Sequence, residues 1–287
     1  MDVAVIGAGR VGTALAVLLS RAGHRVVAAS GREASRERVA RFLPGVPFLG
    51  ASEAAERGEV VLVAVPDDAI GSVVRELAGA DALAAGAWVV HLSGAARIGV
   101  MAPARDAGAR PLGFHPLQTF PDVQRALDRL AGCVVAVTAD DEEGEALGER
   151  LAVDIGAVPF RLADELRPMY HAAAVFASNY LVASSSVAVR LLGEAGVPDP
   201  VAAMAPLQRA TLGNVHELGP GAALTGPAVR GDAGTIAGNL EALAAHAPDA
   251  VAPYVAMARV ALDLAADTGR LDDEDRGAVE EVLARWT

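Results

Sequence analysis

The stretch that most constrains this chain is its first, Asp2 to Leu19, which reads DVAVIGAGRVGTALAVLL. Asp2 to Ile6 reads as a buried parallel strand, apolar and β-branched after its first residue. Gly7, Gly9 and Gly12 follow in the spacing G-x-G-x-x-G, and an Ala-rich apolar run at helical spacing continues to Arg21. Each glycine has a job in such a turn. Gly7 permits the tight bend from strand to helix, Gly9 lets the backbone approach a pyrophosphate, and Gly12 lets the helix pack closely on the strand. The helix start offers free N–H groups and a partial positive charge to phosphates, so Gly7, Ala8, Gly9, Arg10, Val11 and Gly12 together form a candidate dinucleotide turn. The spacing alone is a weak signal. Its place between a strand and a helix, with a second strand at Arg25–Ala29, gives it weight. The bland alternative is a glycine-rich turn without a ligand.

Length and charge bound the rest. The 287 residues suffice for one large domain or two ordinary ones. A net charge of −12 argues against binding nucleic acid or acidic membranes. No apolar run reaches the roughly 18–20 residues of a membrane span without polar interruption, and the first residues read as a strand, not as a leader segment. A cytoplasmic protein is the expectation. The single cysteine, Cys133, excludes an internal disulfide and any cysteine-based metal site, and reads as a buried inert thiol. The six histidines have no metal-ligand spacing, so no metal is expected, and nothing resembles a nucleophile elbow.

Strand-like and helical stretches alternate through the first half. After Arg25–Ala29 come Val46–Leu49, Glu59–Val65, Ala87–Leu92, Arg110–Gly113, Cys133–Thr138 and Ala157–Arg161. Alternation of this kind predicts an α/β fold, a doubly wound and mostly parallel sheet of Rossmann type over residues 1–162. From residue 163 to 287 almost nothing is strand-like, which predicts an all-α second domain. Asp164 to Leu192 reads as one long helix, apolar nearly all round, that should be buried.

The end of the second strand discriminates between cofactors. NAD readers place a carboxylate there for the ribose 2′-hydroxyl. Here Ser30, Gly31 and Arg32 occupy that place, with Arg36 and Arg38 following, which favours NADP. Glu33 leaves room for NAD, and Arg32 also reads as a solvated loop residue.

Ligands of such sheets sit beyond the carboxyl ends of the strands. Val65 and Pro66 end one strand, as a cofactor contact or a structural turn. His91 and Ser93 end the next. Ser93 is a candidate partner for nicotinamide or substrate, and His91 reads as a core histidine. In GFHPLQTF, Gly113 to Phe120, Pro116 holds His115 extended, and His115 is a candidate proton donor during hydride transfer, with a structural loop histidine as its alternative. Gln118 is a candidate substrate contact. In the long helix His171 and Asn179 fall on one face, with Tyr170 as a neighbour, either lining a cleft or forming a satisfied core pair. Arg230, before a helix at Ala233, either binds a substrate anion or pairs with Asp232.

VAVIGAGRVGTALA, VAVPDDAI, HLSGA, GFHPLQTF, HAAAVFASNYLV and LTGPAVRGD together resemble the Rossmann-like proteins that carry a helical C-terminal domain of unknown function. That family is similar to pyrroline-5-carboxylate reductases and deazaflavin-dependent NADP reductases, and more remotely to β-hydroxyacid and 6-phosphogluconate dehydrogenases. The resemblance implies an NADP-binding first domain and a homodimer built through the second. The β-hydroxyacid dehydrogenases place a catalytic lysine early in the long helix. This chain has His171 and Asn179 in that region and no lysine, so their acid–base chemistry does not transfer intact.

The combined expectation is an NADP-dependent oxidoreductase that moves hydride between nicotinamide and a small C=O or C=N substrate, with His115, His171, Asn179 and Ser93 as catalytic candidates and Arg230 and Gln118 as substrate contacts. The competing class is a non-catalytic NADP(H)-binding sensor or partner-binding module. Fluorescence titration should find NADPH bound more tightly than NADH, and the reverse order would remove the NADP assignment.

Overall fold

A computed structural model describes residues 1–286. The chain divides into two compact units, Met1–Asn179 and the residues from Tyr180 onward. The first therefore runs past the end of the sheet, where the sequence places the domain boundary.

In the first unit the order is β1 (Asp2–Ile6), α1 (Arg10–Arg21), β2 (Arg25–Ser30), α2 (Glu33–Phe42), α3 (Ala51–Ala55), β3 (Val60–Val63) and α4 (Ile70–Gly79). Then follow β4 (Trp88–His91), α5 (Ala102–Asp106), β5 (Arg110–Pro116), α6 (Val123–Arg129), β6 (Val134–Ala139), α7 (Glu142–Asp154), β7 (Val158–Arg161) and α8 (Arg167–Ala174). The seven strands form one sheet in the order β2-β1-β3-β4-β5-β6-β7, parallel except where β5 meets β6. Alternate residues of the inner strands face opposite layers. Val3, Val5, Val60, Leu62 and Val90 join one apolar core, and Ile6, Val61, Val63 and Val89 join the other. Helices cover both faces, which is why these strands read as continuous apolar runs. The strand order reverses at β1, between β2 and β3, and this opens a crevice above the glycine turn.

Some expected elements differ. Val46–Leu49 is not a strand but a single bridge, Ala29 with Phe48, because Pro47 has no N–H to extend a ladder. β5 is longer than expected and carries His115 inside it, opposite Ala136 of β6. The long helix expected from Asp164 is present as a continuous helical run to Glu194, with a π-helical turn inside it at Val175–Asn179.

In the second unit, α9 (Tyr180–Glu194), α10 (Pro200–Ala223), α11 (Ala233–His246), α12 (Val251–Asp267) and α13 (Asp273–Ala284) pack around Ile236, Leu240, Leu262, Val279 and Leu283. Asp199, Asp232 and Asp272 each cap the helix that follows. The expectation that α9 is buried is not met. No residue of α9 is buried, and only a stripe with Val187 and Leu191 packs on the Leu243–Ala250 cluster. The 31 helical residues Asp164–Glu194 also have a mean hydropathy of 1.5, long and apolar enough to cross a membrane by length and composition. Serines interrupt the run without making it hydrophilic, so the reading from interruptions alone misses it.

One side chain ties the start of α8 to the sheet. Arg167, fully buried, donates to Ala96 O at 2.6 Å, to Thr138 Oγ1 at 2.8 Å and to Ser93 O. Its guanidinium lies so close to β5 that a Cβ on Gly113 would stand 2.8 Å from Nη1 and 3.3 Å from His91 Nε2. Gly113→Ala should therefore cost about 1–3 kcal/mol of overpacking. That corresponds to a fall of several degrees in the thermal unfolding midpoint. Gly79→Ala, with nothing within 4 Å of the added methyl, should show no loss.

Candidate active site

The glycine turn is held from β2. Gly7 N and Ala8 N donate to Ser30 O at 3.0 and 2.8 Å, and Gly7 takes a positive φ of 90°. A Cβ on Gly7 would stand 2.6 Å from Ala64 O, and one on Gly12 2.8 Å from Gly7 O. Both positions are closed to larger residues by their own fold. Gly9 differs, since a Cβ there would meet nothing nearer than Gly7 O at 3.9 Å, so its outer face is open. Helix α1 starts at Arg10 with no side-chain cap on its first N–H groups. Val11 is half-buried beneath them. Beside the turn lies a crevice of about 300 Å³ lined by Gly7, Gly9, Gly31, Arg32, Val65 and Pro66.

The basic residues after β2 have separate fates. Arg38 donates to Ala8 O at 3.0 Å and holds the turn itself. Arg36 pairs with Glu33 at 3.0 Å and stacks on Phe48. Arg32 is exposed at the rim of the crevice. Arg10 turns away from the crevice and donates to Pro121 O at 3.0 Å, binding the loop after β5 to the start of α1.

At the carboxyl edge of β4 and β5 four polar side chains converge. His115 Nδ1 lies 2.9 Å from Tyr170 Oη, with the rings edge to face at 5.5 Å. The His171 ring is 6.3 Å from His115, and its Nδ1 is buried without a partner. Both histidines pack against Gly94. A Cβ on it would stand 2.8 Å from His171 Nδ1 and 2.9 Å from His115 Nε2. Burial, then the nearby Arg167 charge, holds the His115 imidazole down at about 4. Burial likewise pushes the Tyr170 phenol up to about 12. His91 lies fully buried below them with both ring nitrogens unpartnered, held down at about 3 chiefly by burial.

The other candidates stand apart from this cluster. Ser93 is fully engaged. Its hydroxyl donates to Asp67 Oδ2 at 2.6 Å and accepts from Ala95 N and Ala96 N, leaving no capacity for a ligand. Its expected catalytic role gives way to holding the turn that carries Gly94. Gln118 folds onto its own loop, donating to Arg129 O and accepting from Thr119 N. Asn179 is exposed at the end of the π turn. Eight residues of ideal α-helix overshoot two turns by about 80°. A π turn acts as about one extra residue, which brings Asn179 back to within about 20° of the azimuth of His171. Arg230, in the second unit, is exposed and lies 3.8 Å from Asp232, whose carboxylate caps α11. Tyr170, Gly94 and Arg167 carry most of the geometry. The sequence reading gave Tyr170 little weight and passed over the other two. An arginine opening an apolar helix was the available signal for Arg167, and a glycine two residues past a strand was that for Gly94.

Residues 1–116 match the Rossmann-like domain family, and residues 133–261 match a domain of unknown function, DUF2520. Glycerol-3-phosphate dehydrogenase (NAD(P)+) of Azorhizobium caulinodans is 34% identical over 235 residues, covering 72% of this chain and 66% of its own. The chain thus spans just under two thirds of that relative, and about a quarter of others of the same name. A solved structure from Bacteroides fragilis, described as a candidate NADP oxidoreductase, is 27% identical over 91% of this chain and 98% of its own, with a TM-score of 0.78. An imine reductase from Myxococcus stipitatus in complex with NADP+ shares the fold, at 19% identity over 100% of this chain and 99% of its own, with a TM-score of 0.65. The chain therefore belongs among the Rossmann-like proteins in which a DUF2520 domain follows the nucleotide-binding sheet.

Proposed function

We propose that this protein is an NADP-dependent oxidoreductase acting on a small C=O or C=N substrate. The observation that carries the proposal is the shared edge of the sheet. An open glycine turn stands over β1, and a His115–Tyr170–His171 cluster stands over β5, with Arg10 joining the two loops. The names of the glycerol-3-phosphate dehydrogenase and Bacteroides fragilis relatives agree with it.

The residues present fit a dinucleotide. The open face of Gly9 and the uncapped start of α1 suit a pyrophosphate, held by backbone N–H groups of Ala8 to Gly12. Ser30, Gly31 and Arg32 line the crevice where the 2′-substituent belongs. Arg32 offers a guanidinium to a phosphate there and β2 ends without a carboxylate, which favours NADP over NAD although Glu76 also lines the crevice. Val65 and Pro66 form the opposite wall. When bound in reduced form, the cofactor supplies a hydride from C4 of its nicotinamide ring.

The protein's own groups supply orientation and the proton. The Tyr170 phenol stays protonated through the neutral range, with Oη 2.9 Å from His115 Nδ1. Where the phenol is the donor of that bond, the proton of the uncharged imidazole sits on Nε2, the nitrogen facing Gly94. A neutral imidazole donates a hydrogen bond to a carbonyl or imine without itself being an acid near neutrality. His171 presents Nδ1 from the opposite side. Asn179 remains a proposed catalytic positioning residue and Arg230 a proposed anion contact, whereas Ser93 and Gln118 act on their own loops.

We further infer a homodimer through the helical unit, in a cytoplasmic setting that a net charge of −12 suits. Val182 and Leu207 are 68% and 69% exposed on α9 and α10, and Leu218 is 59% exposed. A row of this kind on paired helices calls for a partner surface. Sedimentation should report a dimer, and Val182→Glu with Leu207→Glu should yield monomers.

His115→Ala and His171→Ala should each lower kcat at least tenfold, while NADPH affinity by fluorescence changes less than twofold. Full activity in both variants would overturn the proton path. Tyr170→Phe should lower kcat by about tenfold. Since His115 takes up its proton only near pH 4, kcat/KM should stay level from pH 8 down to about 5 and fall below that as the imidazole becomes charged. An acid limb centred near 6.5 would contradict the buried neutral histidine.

A further inference from the structure

We propose that Glu76 reads the base of the coenzyme. Its carboxylate accepts a hydrogen bond from the exocyclic amine of adenine and so selects adenine over hypoxanthine. This rests on the dinucleotide reading above and adds a base specificity to it.

The crevice beside the glycine turn has two unlike walls. Ser30, Gly31, Arg32 and Ser35 come from the end of β2 and the start of α2, and they form a polar wall with one guanidinium. Ala51 of α3, Val65 after β3, and Val73 and Leu77 of α4 form a largely apolar one. Because β1 stands between β2 and β3 in the sheet, β2 and β3 are about 10 Å apart. The ribose of a nucleotide and its base therefore meet different elements. The faces of a purine ring are apolar, and its hydrogen-bonding groups lie on its edge. The base belongs against the apolar wall, and the phosphate-bearing ribose beside Arg32.

Glu76 is the charged residue of the apolar wall among the described residues. It shares a face of α4 with Val73 and Leu77, three residues before it and one after. Leu77 is buried, Val73 is half-buried and Glu76 is exposed, so Glu76 stands at the rim of that wall. Acids on the neighbouring helices are engaged, Glu33 with Arg36 and Glu53 with Arg57. No ion pair or side-chain hydrogen bond engages Glu76 among the described residues.

A carboxylate only accepts hydrogen bonds. Adenine offers it the N6 amine, a donor. Hypoxanthine has a carbonyl oxygen at that position, an acceptor that a carboxylate repels. A glutamine in place of Glu76 both donates and accepts, so it serves either base.

Binding tests this without turnover. Fluorescence titration compares NADPH with its deamino analogue, in which hypoxanthine replaces adenine. The unaltered protein should bind NADPH at least fivefold more tightly. Glu76→Gln should bind the deamino analogue at least threefold more tightly than the unaltered protein does, bringing the two coenzymes within twofold of each other. A gain in affinity is not an effect of a damaged fold. Equal affinity of the unaltered protein for both coenzymes overturns the base contact and leaves the oxidoreductase reading standing, and so does an unchanged ratio in Glu76→Gln. If Glu76→Gln instead tightens NADPH relative to NADH and leaves the base preference unchanged, Glu76 acts on the 2′-substituent and the proposal is wrong. Failure to bind either NADPH or NADH removes the coenzyme reading itself, and this one with it.

Discussion

A single buried guanidinium organises the functional edge of the sheet. Arg167 reaches back from the first turn of α8 to the backbone after β4 and to the hydroxyl of Thr138, which itself donates to Leu162 O at 2.7 Å. Burying a charge without a carboxylate partner is unfavourable and is tolerated only when every donor finds an acceptor. Here the acceptors are the carbonyls of Ser93 and Ala96, so the turn carrying Gly94 is fixed by the same bonds that satisfy the charge. The cation depresses the basicity of the histidines beside it. Structure and electrostatics of the site thus share one cause.

The glycines divide by the same physical test. Gly7, Gly12 and Gly113 are small because the protein itself fills the space, against Ala64, Gly7 and Arg167 respectively. Gly94 belongs with them, its space filled by His171 and His115, whereas Gly9 has room beside it that the protein leaves open. Spacing alone does not distinguish a glycine required by packing from one that leaves room for a ligand, since both present as a missing side chain.

The first half of the fold was legible because strands covered on both faces are apolar without alternation, and such runs are hard to mistake. Val60–Val63 and Val134–Ala139 are the clearest. The glycine turn was legible for a related reason, since its chemistry is backbone chemistry and local in sequence. His115 was recognised as a candidate because it stands at the carboxyl end of a strand before Pro116, and His171 because it is a polar residue on an apolar helix. The engaged states of Ser93 and Gln118 were not legible, because their partners, Asp67 and Arg129, are chosen by loop paths. The apolar run after Asp164 read as a core helix, since hydropathy reports what a face prefers to contact and not whether one chain provides the contact.

The sequence by itself determined an α/β sheet opening on a dinucleotide turn, the absence of a carboxylate at the end of β2, and a helical second half. Each of these is written in residues close together in the chain. Tertiary structure alone decided that Tyr170 backs His115, that His171 faces it across Gly94, and that Arg167 lies beneath both. Those residues come from the turn after β4, from β5 and from α8, which are far apart in the chain. No local pattern encodes the distance between them. It is set by the register of the sheet and by the hydrogen bonds that a buried charge must make.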